Sequence, residues 1–249
     1  MRNRLGFIPA VLLAALIGWA GEARSAAEVH RLNVVFSAVP TGLKADDFNT
    51  AISDVNRTKL DPNNLEPLPG INWSWLLDAE VRYFVRPSLA VSAGVSRIRA
   101  SSSQEYLPTI GASNTVRADI TSIPIHAGAA YYFTPYNQGD FQARGYLGAG
   151  IMSVVYNRAS LQWTGTGIPP GQAFSWTGSN DAPGYYAEGG VHMFFASKLS
   201  VLLSALARSN EVRMLVDEVT GAPITDTVGR PISLDVGGIG FRMAVAVGL

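Results

Sequence analysis

The sequence contains no cysteine, very few lysines and, after its N-terminal segment, no run of eighteen apolar residues. The absence of cysteine excludes disulfides, thiolate metal sites, a cysteine nucleophile and a lipoprotein anchor. Charged residues are 15% of the 249 residues, and the basic ones are 16 arginines against 3 lysines. That composition is unusual for a water-exposed surface. A formal net charge of zero without a basic stretch argues against nucleic acid as a partner.

The first 25 residues have the layout of a secretory signal peptide. Arg2 and Arg4 precede the apolar run from Leu5 to Ala20, and small residues follow at cleavage spacing. A retained membrane helix is the alternative, but the run is shorter than the ~20 residues that a membrane span needs. We therefore expect cleavage after Ser25 or Ala27, with residues 1–25 removed and 26–249 forming the mature domain.

From His30 onward the dominant pattern is strict alternation, which in a strand sends successive side chains to opposite faces of the sheet. Between Ile71 and Arg86, seven consecutive alternate positions are apolar. Such a strand is longer than the usual five or six residues of soluble sheets and suits a tilted membrane strand. The pattern predicts eight strands, at about 32–38, 71–86, 89–95, 123–133, 141–151, 185–195, 199–207 and 239–249.

The predicted connections alternate between short and long. Short ones lie at 86–88, 134–140 and 196–198, and long ones at about 40–70, 101–115, 158–183 and 217–231. This asymmetry is typical of outer-membrane barrels, whose turns face the periplasm and whose loops face outward. An even number of strands returns the C-terminus to the periplasm, which agrees with the order of the connections.

Two of the long connections carry further patterns. In the first, Phe48, Ile52 and Val55 follow a helical spacing after a candidate cap at Asp46 or Asp47, which predicts a short helix over 46–57. Its apolar side would cover the barrel mouth or pack on neighbouring loops. The third long connection contains a similar five-residue motif twice, at 161–165 and 174–178, which indicates a hairpin above the membrane or an additional strand pair.

Alternation alone does not distinguish a membrane barrel from a soluble barrel of the lipocalin kind. The polar rows hold many small residues and no lysine in mid-strand, which favours a narrow, packed interior. Their charges are three acids and four bases, and this near balance predicts internal salt bridges, because an unpaired buried charge costs several kcal/mol. The predicted polar network of the lumen is Asp78, Glu80, Arg82, Arg144, Glu188, His192, Arg208 and Arg242.

Two further groups of residues stand at characteristic positions of the predicted strands. Aromatic residues gather at the strand ends, as in the interface girdles of membrane barrels. These are Trp73, Trp75, Tyr83, Tyr131, Phe133, Phe141, Tyr185 and Phe195. On the inward face, an apolar pocket could be lined by Leu76, Ile98, Ile120 and Met152.

The mature chain resembles the small eight-stranded outer-membrane barrels, the group that includes the OmpA transmembrane domain, OmpX and OmpW. Its last segment, Ile239 to Leu249, is similar to the C-terminal signal that the barrel-assembly machinery recognises, with apolar residues at alternate positions. The family pattern usually ends in an aromatic residue, whereas this chain ends in Leu249. The fold expected is all-β: an eight-stranded antiparallel up-and-down transmembrane β-barrel with a short helix in the first long loop. The implied location is the bacterial outer membrane, and the implied partners are outer-membrane lipid, lipopolysaccharide and the assembly machinery.

The residues that carry chemistry are sparse. His30, His126 and His192 are dispersed and have no metal-ligand spacing. Lipid A deacylase barrels carry His-X-Ser on one strand, which is missing here, although a neighbouring strand can supply a serine. The glycine-rich run 145–150 lies inside a strand pattern, so it lacks the helix start that cradles phosphate. The sequence therefore predicts no catalytic residue, no metal site and no cofactor.

Eight strands enclose an interior that side chains can fill, which makes a general porin improbable. The leading hypothesis is therefore a barrel with a filled or narrow lumen and a structural or surface-binding role through its outer loops. The resemblance to OmpW implies an alternative, the passage or binding of small hydrophobic molecules. A lipid-modifying barrel enzyme is the third hypothesis.

Overall fold

The computed structural model describes residues 29–109, 112–166, 168, 170–195 and 198–249. The expected signal peptide, 1–25, and part of the expected short turn at 196–198 lie outside the described residues. The α-helix α1 is Asp46–Val55. The strands are β1 (Leu32–Gly42), β2 (Trp73–Arg86), β3 (Leu89–Thr109), β4 (Ala112–Tyr132), β5 (Tyr136–Gln138), β6 (Phe141–Gly165), β7 (Phe174–Ser179), β8 (Ala182–Phe195), β9 (Leu199–Val212), β10 (Val216–Asp217), β11 (Leu234–Asp235) and β12 (Gly238–Gly248).

Eight of these strands close into a barrel in the order β1, β2, β3, β4, β6, β8, β9, β12 and back to β1. Every neighbouring pair is antiparallel, and the closing pair places Asn33 opposite Gly248 and Thr41 opposite Gly240. Closure leaves no free edge in the barrel wall, so each strand finds backbone partners on both sides. The predicted all-β, eight-stranded antiparallel barrel is confirmed.

The barrel has one end with short turns, here called the turn end, and one with long connections, here called the outer end. Towards the outer end three strands are unusually long: β3 and β4 have 21 residues each, and β6 has 25. β6 also pairs with β7, with Leu161 opposite Trp176 and Trp163 opposite Phe174. The connections expected over 101–115 and 158–183 are therefore strand for most of their described length. The two copies of the repeated motif, at 161–165 and 174–178, lie on β6 and β7 and form the predicted hairpin.

The first long connection contains α1, as expected for a short helix there. The helix begins at Asp46, and its cap position is Ala45 without a side-chain hydrogen bond. Asp46 and Asp47 therefore lie in the first turn, where their negative charges interact favourably with the helix dipole. The prediction that one of them caps the helix is wrong. A π-helical stretch, Asn56–Leu60, continues the chain after α1. No helix in the described residues is long and apolar enough to cross a membrane.

The polarity of the barrel wall is inverted relative to a soluble protein. Apolar side chains on the outer face are exposed, for example Phe241 at 76%, Ile151 at 72% and Leu147 at 60%. Charged side chains on the inner face are buried, with Arg82 at 1% and Glu80 at 2%. Because the side-chain period of a strand is two, one register sends every member of the apolar row outward and every member of the polar row inward.

Candidate functional site: the filled lumen

The interior of the barrel is filled in three layers, of which the one at the turn end is aromatic. The Phe84 and Tyr132 rings lie 4.9 Å apart between centroids, and Tyr132 stacks on Tyr146 at 5.2 Å. Phe194 packs on Phe84 from the opposite wall, and all four residues are buried. This aromatic layer closes the turn end of the lumen.

The middle layer is an ion cluster of three carboxylates and two guanidinium groups: Asp78, Glu80, Glu188, Arg82 and Arg242. Nη2 of Arg242 lies 2.6 Å from Oδ2 of Asp78, and its Nη1 lies 3.1 Å from Glu188 and 3.3 Å from Glu80. Nε of Arg82 lies 2.7 Å from Oε1 of Glu80, and its Nη2 lies 3.3 Å from Oε2 of Glu188. Each arginine thus bridges at least two carboxylates.

The strand order explains why these residues meet. Asp78, Glu80 and Arg82 occupy alternate inward positions of β2. Glu188 comes from β8, which is four strands away around the barrel and therefore on the opposite wall. Arg82 reaches it directly, so the lumen is narrow enough for side chains to span it. In β4, a Cβ built at Gly128 would lie 2.3 Å from the Tyr186 hydroxyl, so glycine at this position makes room for that ring.

Neutral side chains complete the hydrogen bonding of the carboxylates. Ser96 donates to Oδ1 of Asp78 at 2.7 Å, and Nε2 of His126 lies 2.9 Å from the same oxygen. The Tyr146 hydroxyl donates to Oε1 of Glu188 at 2.5 Å, and Ser204 donates to it at 2.7 Å. Buried charges are stabilised only when they are both paired and hydrogen-bonded, and this cluster meets both conditions.

Three predicted members of the network, Arg144, Arg208 and His192, form no ion pair with the described carboxylates and occupy different surroundings. Arg144 is only half-buried at the turn end, where it donates to the carbonyl of Pro87 at 2.6 Å and to Gln142 at 2.8 Å. It forms no ion pair with a carboxylate of the described residues, so the prediction that it belongs to the salt-bridge ladder is wrong. The side chain is long enough to leave the lumen at its mouth, where water solvates the charge.

Arg208 and His192 are both buried in the lumen. Arg208 lies towards the outer end and donates to Oγ1 of Thr41 at 2.8 Å, without an ion pair in the described part of the chain. His192 lies towards the turn end, with Nδ1 at 3.1 Å from the Tyr132 hydroxyl and Nε2 at 2.8 Å from Ser200. Tyr132 accepts from Arg82 at 2.8 Å, so His192 joins the ion cluster through that phenol.

The predicted polar network lacks several residues that the structure places in it. They are Ser96, His126, Tyr132, Tyr146, Ser200 and Ser204. Each occupies an inward position of its strand, so the row parity that selected the charged residues would have selected these as well. These residues are neutral or weakly basic, and the balance of formal charges, on which the predicted ladder rests, does not identify such residues.

Asp78, Glu80 and His126 bring potential metal-ligand atoms within 4.8 Å of one another. Carboxylate and imidazole groups at such spacing can hold a divalent cation. Here, however, the guanidinium of Arg242 already lies against Asp78 and Glu80. A second cation at this place would meet direct electrostatic repulsion, so the cluster fits an ion-pair network better than a metal centre.

The layer towards the outer end is apolar. The predicted lining residues Leu76, Ile98 and Ile120 are fully buried in one cluster with Phe48 and Ile52 of α1. Met152 is also buried, and with Leu76, Arg208 and carboxylates of the ion cluster it lines a cavity of about 30 Å³. A cavity of this size is far smaller than the roughly 300–1,000 Å³ of a small-molecule pocket. The helix and its neighbours therefore fill the space that an apolar ligand would need.

The predicted interface aromatics all lie on the outer rows. Seven are exposed, from Tyr185 at 66% to Phe195 at 39%, and Phe141 is half-buried beside Phe195 at 5.7 Å. A closed wall with exposed apolar rows, aromatic residues near both ends and charges enclosed in the lumen decides the architecture. The chain has the eight-stranded fold of the small outer-membrane barrels.

Solved structures of such barrels show some similarity to this chain. The N-terminal β-barrel domain of Pseudomonas aeruginosa OprF shares 11% identity over 88% of this chain and 98% of its own, with a TM-score of 0.36. Ail, the attachment invasion locus protein of Yersinia pestis, shares 12% identity over 88% and 98%, with a TM-score of 0.37. Ail has also been solved in complex with the heparin analogue sucrose octasulfate, at 11% identity over 87% and 95% and a TM-score of 0.35.

No model of a known protein family matches the sequence, and no curated protein matches it either. The assignment of the fold therefore rests on the strand pairing and on the distribution of side chains over the barrel wall.

Proposed function

We propose that this chain is an integral protein of the bacterial outer membrane, with a closed lumen and a surface-binding role at its outer end. The inverted polarity of the barrel wall carries the proposal. Exposed rows such as Phe36, Leu77, Val81 and Phe241 would face water at a large hydrophobic cost in a soluble protein. In a membrane the same rows contact acyl chains, and the closed barrel satisfies its backbone hydrogen bonds internally.

The three layers of the lumen support a closed barrel. The aromatic layer, the ion cluster and the apolar layer leave a cavity of about 30 Å³ between the ion cluster, Arg208 and Met152. An open channel needs continuous water along the barrel axis, which is typical of wider barrels with sixteen or more strands. Bulk passage of solutes would require the ion cluster to break, and breaking buried pairs costs about 3–5 kcal/mol.

The outer end supports a contact surface because hydrogen bonds join its described connections to one another. Asp47 of α1 accepts a hydrogen bond from the Ser233 hydroxyl at 2.6 Å, and Asp54 accepts one from Thr227 at 3.0 Å. Asn63 donates to Gln172 in the third long connection at 2.9 Å. These contacts join three separate connections, and a partner that binds to such a preformed surface loses less conformational entropy on binding.

Two measurements test this proposal. Folded protein in isolated outer membranes should resist cold SDS and change its migration on a gel after boiling. Purified protein in planar bilayers should give no large, stable conductance. A steady conductance of porin size would contradict the closed lumen, whereas recovery of the protein in a soluble fraction without heat-modifiable migration would contradict membrane insertion.

Binding of small hydrophobic molecules is a second candidate, favoured by the apolar layer beneath α1. A ligand would have to replace Phe48 and Ile52 over Leu76, Ile98 and Ile120. We expect alkyl ligands to bind only if α1 moves away, and Leu76→Arg to abolish that binding. Absence of affinity for any alkyl ligand in the wild-type protein would exclude this role.

An enzymatic role is not proposed, although the structure brings a histidine and a serine together. His192 and Ser200 lie within hydrogen-bond distance, but they are 0% and 3% exposed and face the aromatic layer. A nucleophile must reach its substrate, and a lipid acyl chain outside the barrel cannot reach an enclosed serine. Incubation with lipopolysaccharide or phospholipid should therefore give no cleavage product.

A further inference from the structure

Four cationic residues surround the mouth of the barrel at the turn end, and we call them the basic rim: Arg31, Arg86, Arg144 and Lys198. The carbonyl of Arg31 accepts a hydrogen bond from the backbone N–H of Phe84 at 2.7 Å, and Arg86 lies two residues further along β2. Arg144 reaches the rim from β6. Lys198 precedes β9, and its carbonyl accepts from the backbone N–H of Gly248 at 2.6 Å. The rim therefore draws its charges from well-separated parts of the chain.

Three of the four cations continue inward rows of the barrel wall. Successive inward positions are two residues apart in a strand, and paired residues share one face. Arg31 and Lys198 each stand two residues before a buried inward residue, and Arg144 is paired with one. These inward residues are Asn33, Ser200 and His192. The rim cations therefore border the aqueous mouth, whereas the outer rows at this end carry exposed aromatic residues such as Phe133 and Phe195.

The aromatic layer forms the floor of this mouth. The guanidinium carbon of Arg144 lies 5.9 Å from the centre of the Phe194 ring, and its Nη1 donates to the carbonyl of Pro87 at 2.6 Å. Opposite walls of an eight-stranded barrel are about 16 Å apart at the backbone, from a strand spacing of about 4.8 Å and a tilt of about 40°. An extended arginine side chain spans ~7 Å, so cations from different walls can contact one compact ligand.

The charges of the basic rim have no acidic partners. None of its four members forms an ion pair within the part of the chain that the structure describes, and three are exposed. Asp140 and the C-terminal carboxylate of Leu249 are the acidic groups that the described residues place at this end. At the outer end, by contrast, several exposed arginines are paired with acids: Arg57 with Asp54, Arg117 with Asp119, Arg158 with Glu218 and Arg230 with Asp226.

The shape and charge of the mouth define the ligand that fits it. The ligand must be compact, because the aromatic layer closes the lumen directly behind the rim. It must carry several negative charges to satisfy cations from different walls. Guanidinium groups match phosphate oxygens through two parallel hydrogen bonds, and three of the four rim residues are arginines.

We infer that the basic rim binds a compact, soluble anion with two or more phosphate groups. The placement of this site on the periplasmic side rests on the proposed membrane insertion, whereas the anion site itself rests on the rim. A lipid headgroup fits less well, because it would approach from the outer rows and not along the barrel axis.

The experiment is a calorimetric titration of inorganic tripolyphosphate into the folded protein in zwitterionic micelles at low salt. The wild-type protein should bind it. Arg31→Gln with Arg86→Gln should weaken binding about tenfold, because each exposed guanidinium contributes a charge-assisted hydrogen bond to phosphate. The matched control is Arg97→Gln with Arg99→Gln, which removes two exposed arginines from β3 towards the outer end and should change binding less than twofold.

The remaining results would contradict the inference in different ways. Absence of binding, or equal weakening by the two double variants, overturns the site. Equal affinity for a hexa-aspartate peptide overturns the assignment to phosphate. If micelles doped with phosphatidylglycerol bind through Arg31 and Arg86 and tripolyphosphate does not compete, the ligand is a lipid headgroup and not a soluble anion.

Heat-modifiable migration is checked first for each protein. Its loss in a variant alone marks a folding defect, and the single variants Arg31→Gln and Arg86→Gln, each expected to weaken binding about threefold, then replace the double variant. Its absence in the wild-type protein would contradict the proposed membrane barrel, whereas a folded wild-type protein that does not bind tripolyphosphate would contradict the basic rim alone.

Discussion

At the scale of single residues, Arg242 and Arg144 show how much an arginine's contribution depends on its partners. Both were expected on the inner wall, and both are arginines at alternate positions of predicted strands. Arg242 contacts three carboxylates and is 4% exposed, whereas Arg144 contacts a carbonyl and an amide at the solvated turn end. The odd or even position of a residue along its strand predicts whether its side chain points into the lumen or outward. Only the folded barrel determines how deep in the lumen that side chain lies and which groups it contacts.

The first prediction compares the same substitution at these two sites. Arg242→Met leaves Asp78, Glu80 and Glu188 with one guanidinium among them, so we expect a loss of about 3–5 kcal/mol in unfolding free energy. Arg144→Met removes only half-exposed hydrogen bonds and should cost about 1 kcal/mol or less. Urea unfolding in detergent micelles measures both. Equal losses for the two variants would contradict the ion cluster described here.

A second residue-scale prediction concerns Tyr106, which lies on β3 beyond the apolar band. Burial, with a contribution from the Glu66 carboxylate, raises the pKa of Tyr106 to about 12, and its hydroxyl donates to the Glu66 carbonyl. Because the folded-state pKa is raised above the ordinary value of about 10, the stabilisation is complete below pH ~10 and is lost as the pH rises through ~12.

The measurement is an absorbance titration of tyrosinate for the wild-type protein and for Tyr106→Phe. The difference between the two curves should have its midpoint near 12. A midpoint near the ordinary tyrosine value of about 10 would show that the hydroxyl is solvated.

At the scale of elements, the strands β3, β4 and β6 are longer than predicted. The predicted strands stop early because the apolar residues change from the outer to the inner face partway along each strand. In the lower part of β4 the apolar residues face outward, as Ile123 and Ile125 do. Above Ser122 they face inward, as Val116 and Ile120 do, while Arg117 and Asp119 face outward. The outer face passes from lipid to water at this height, so the apolar row moves to the enclosed side.

This change of phase interrupts the pattern that sequence reasoning relied on. A continuous strand whose two halves alternate in opposite phase resembles a strand followed by a loop. The helix α1 was easier to predict, because Phe48 and Ile52 keep one face of a 3.6-residue period throughout.

The third prediction separates the outer end from the barrel below it. Phe48 is fully buried, with its ring 5.8 Å from that of Trp176. Phe48→Ala should remove about 3–5 kcal/mol of local stability, because it deletes a buried ring and leaves a cavity. We expect faster amide exchange and proteolysis over 43–72, with resistance to cold SDS retained.

The control is Ser53→Ala on the exposed side of the same helix, which should exchange like the wild-type protein. If Phe48→Ala also abolished heat-modifiable migration, the outer end and the barrel would form a single cooperative unit. Unchanged exchange in that variant would show that α1 does not depend on its buried face.

At the scale of the whole molecule, the C-terminal strand closes the barrel. β12 pairs with β1 and β9, and the backbone N–H of Leu249 donates to the carbonyl of Leu32 at 2.9 Å. The Leu249 side chain is 65% exposed on the outer row, with Phe241 at 76% and Met243 at 56% on the same row. The strand that closes the barrel therefore carries the same exposed apolar row as the rest of the wall.

The sequence by itself determined the strand number, the inward and outward rows and the position of the helix, because side-chain period and turn spacing are local properties. Tertiary structure alone decided which charges meet, since Arg82, Glu188 and Arg242 come from strands far apart in the chain. It also decided that α1 and the apolar layer close the outer end. Contacts across a lumen depend on barrel closure and stagger, and these are set by all eight strands together.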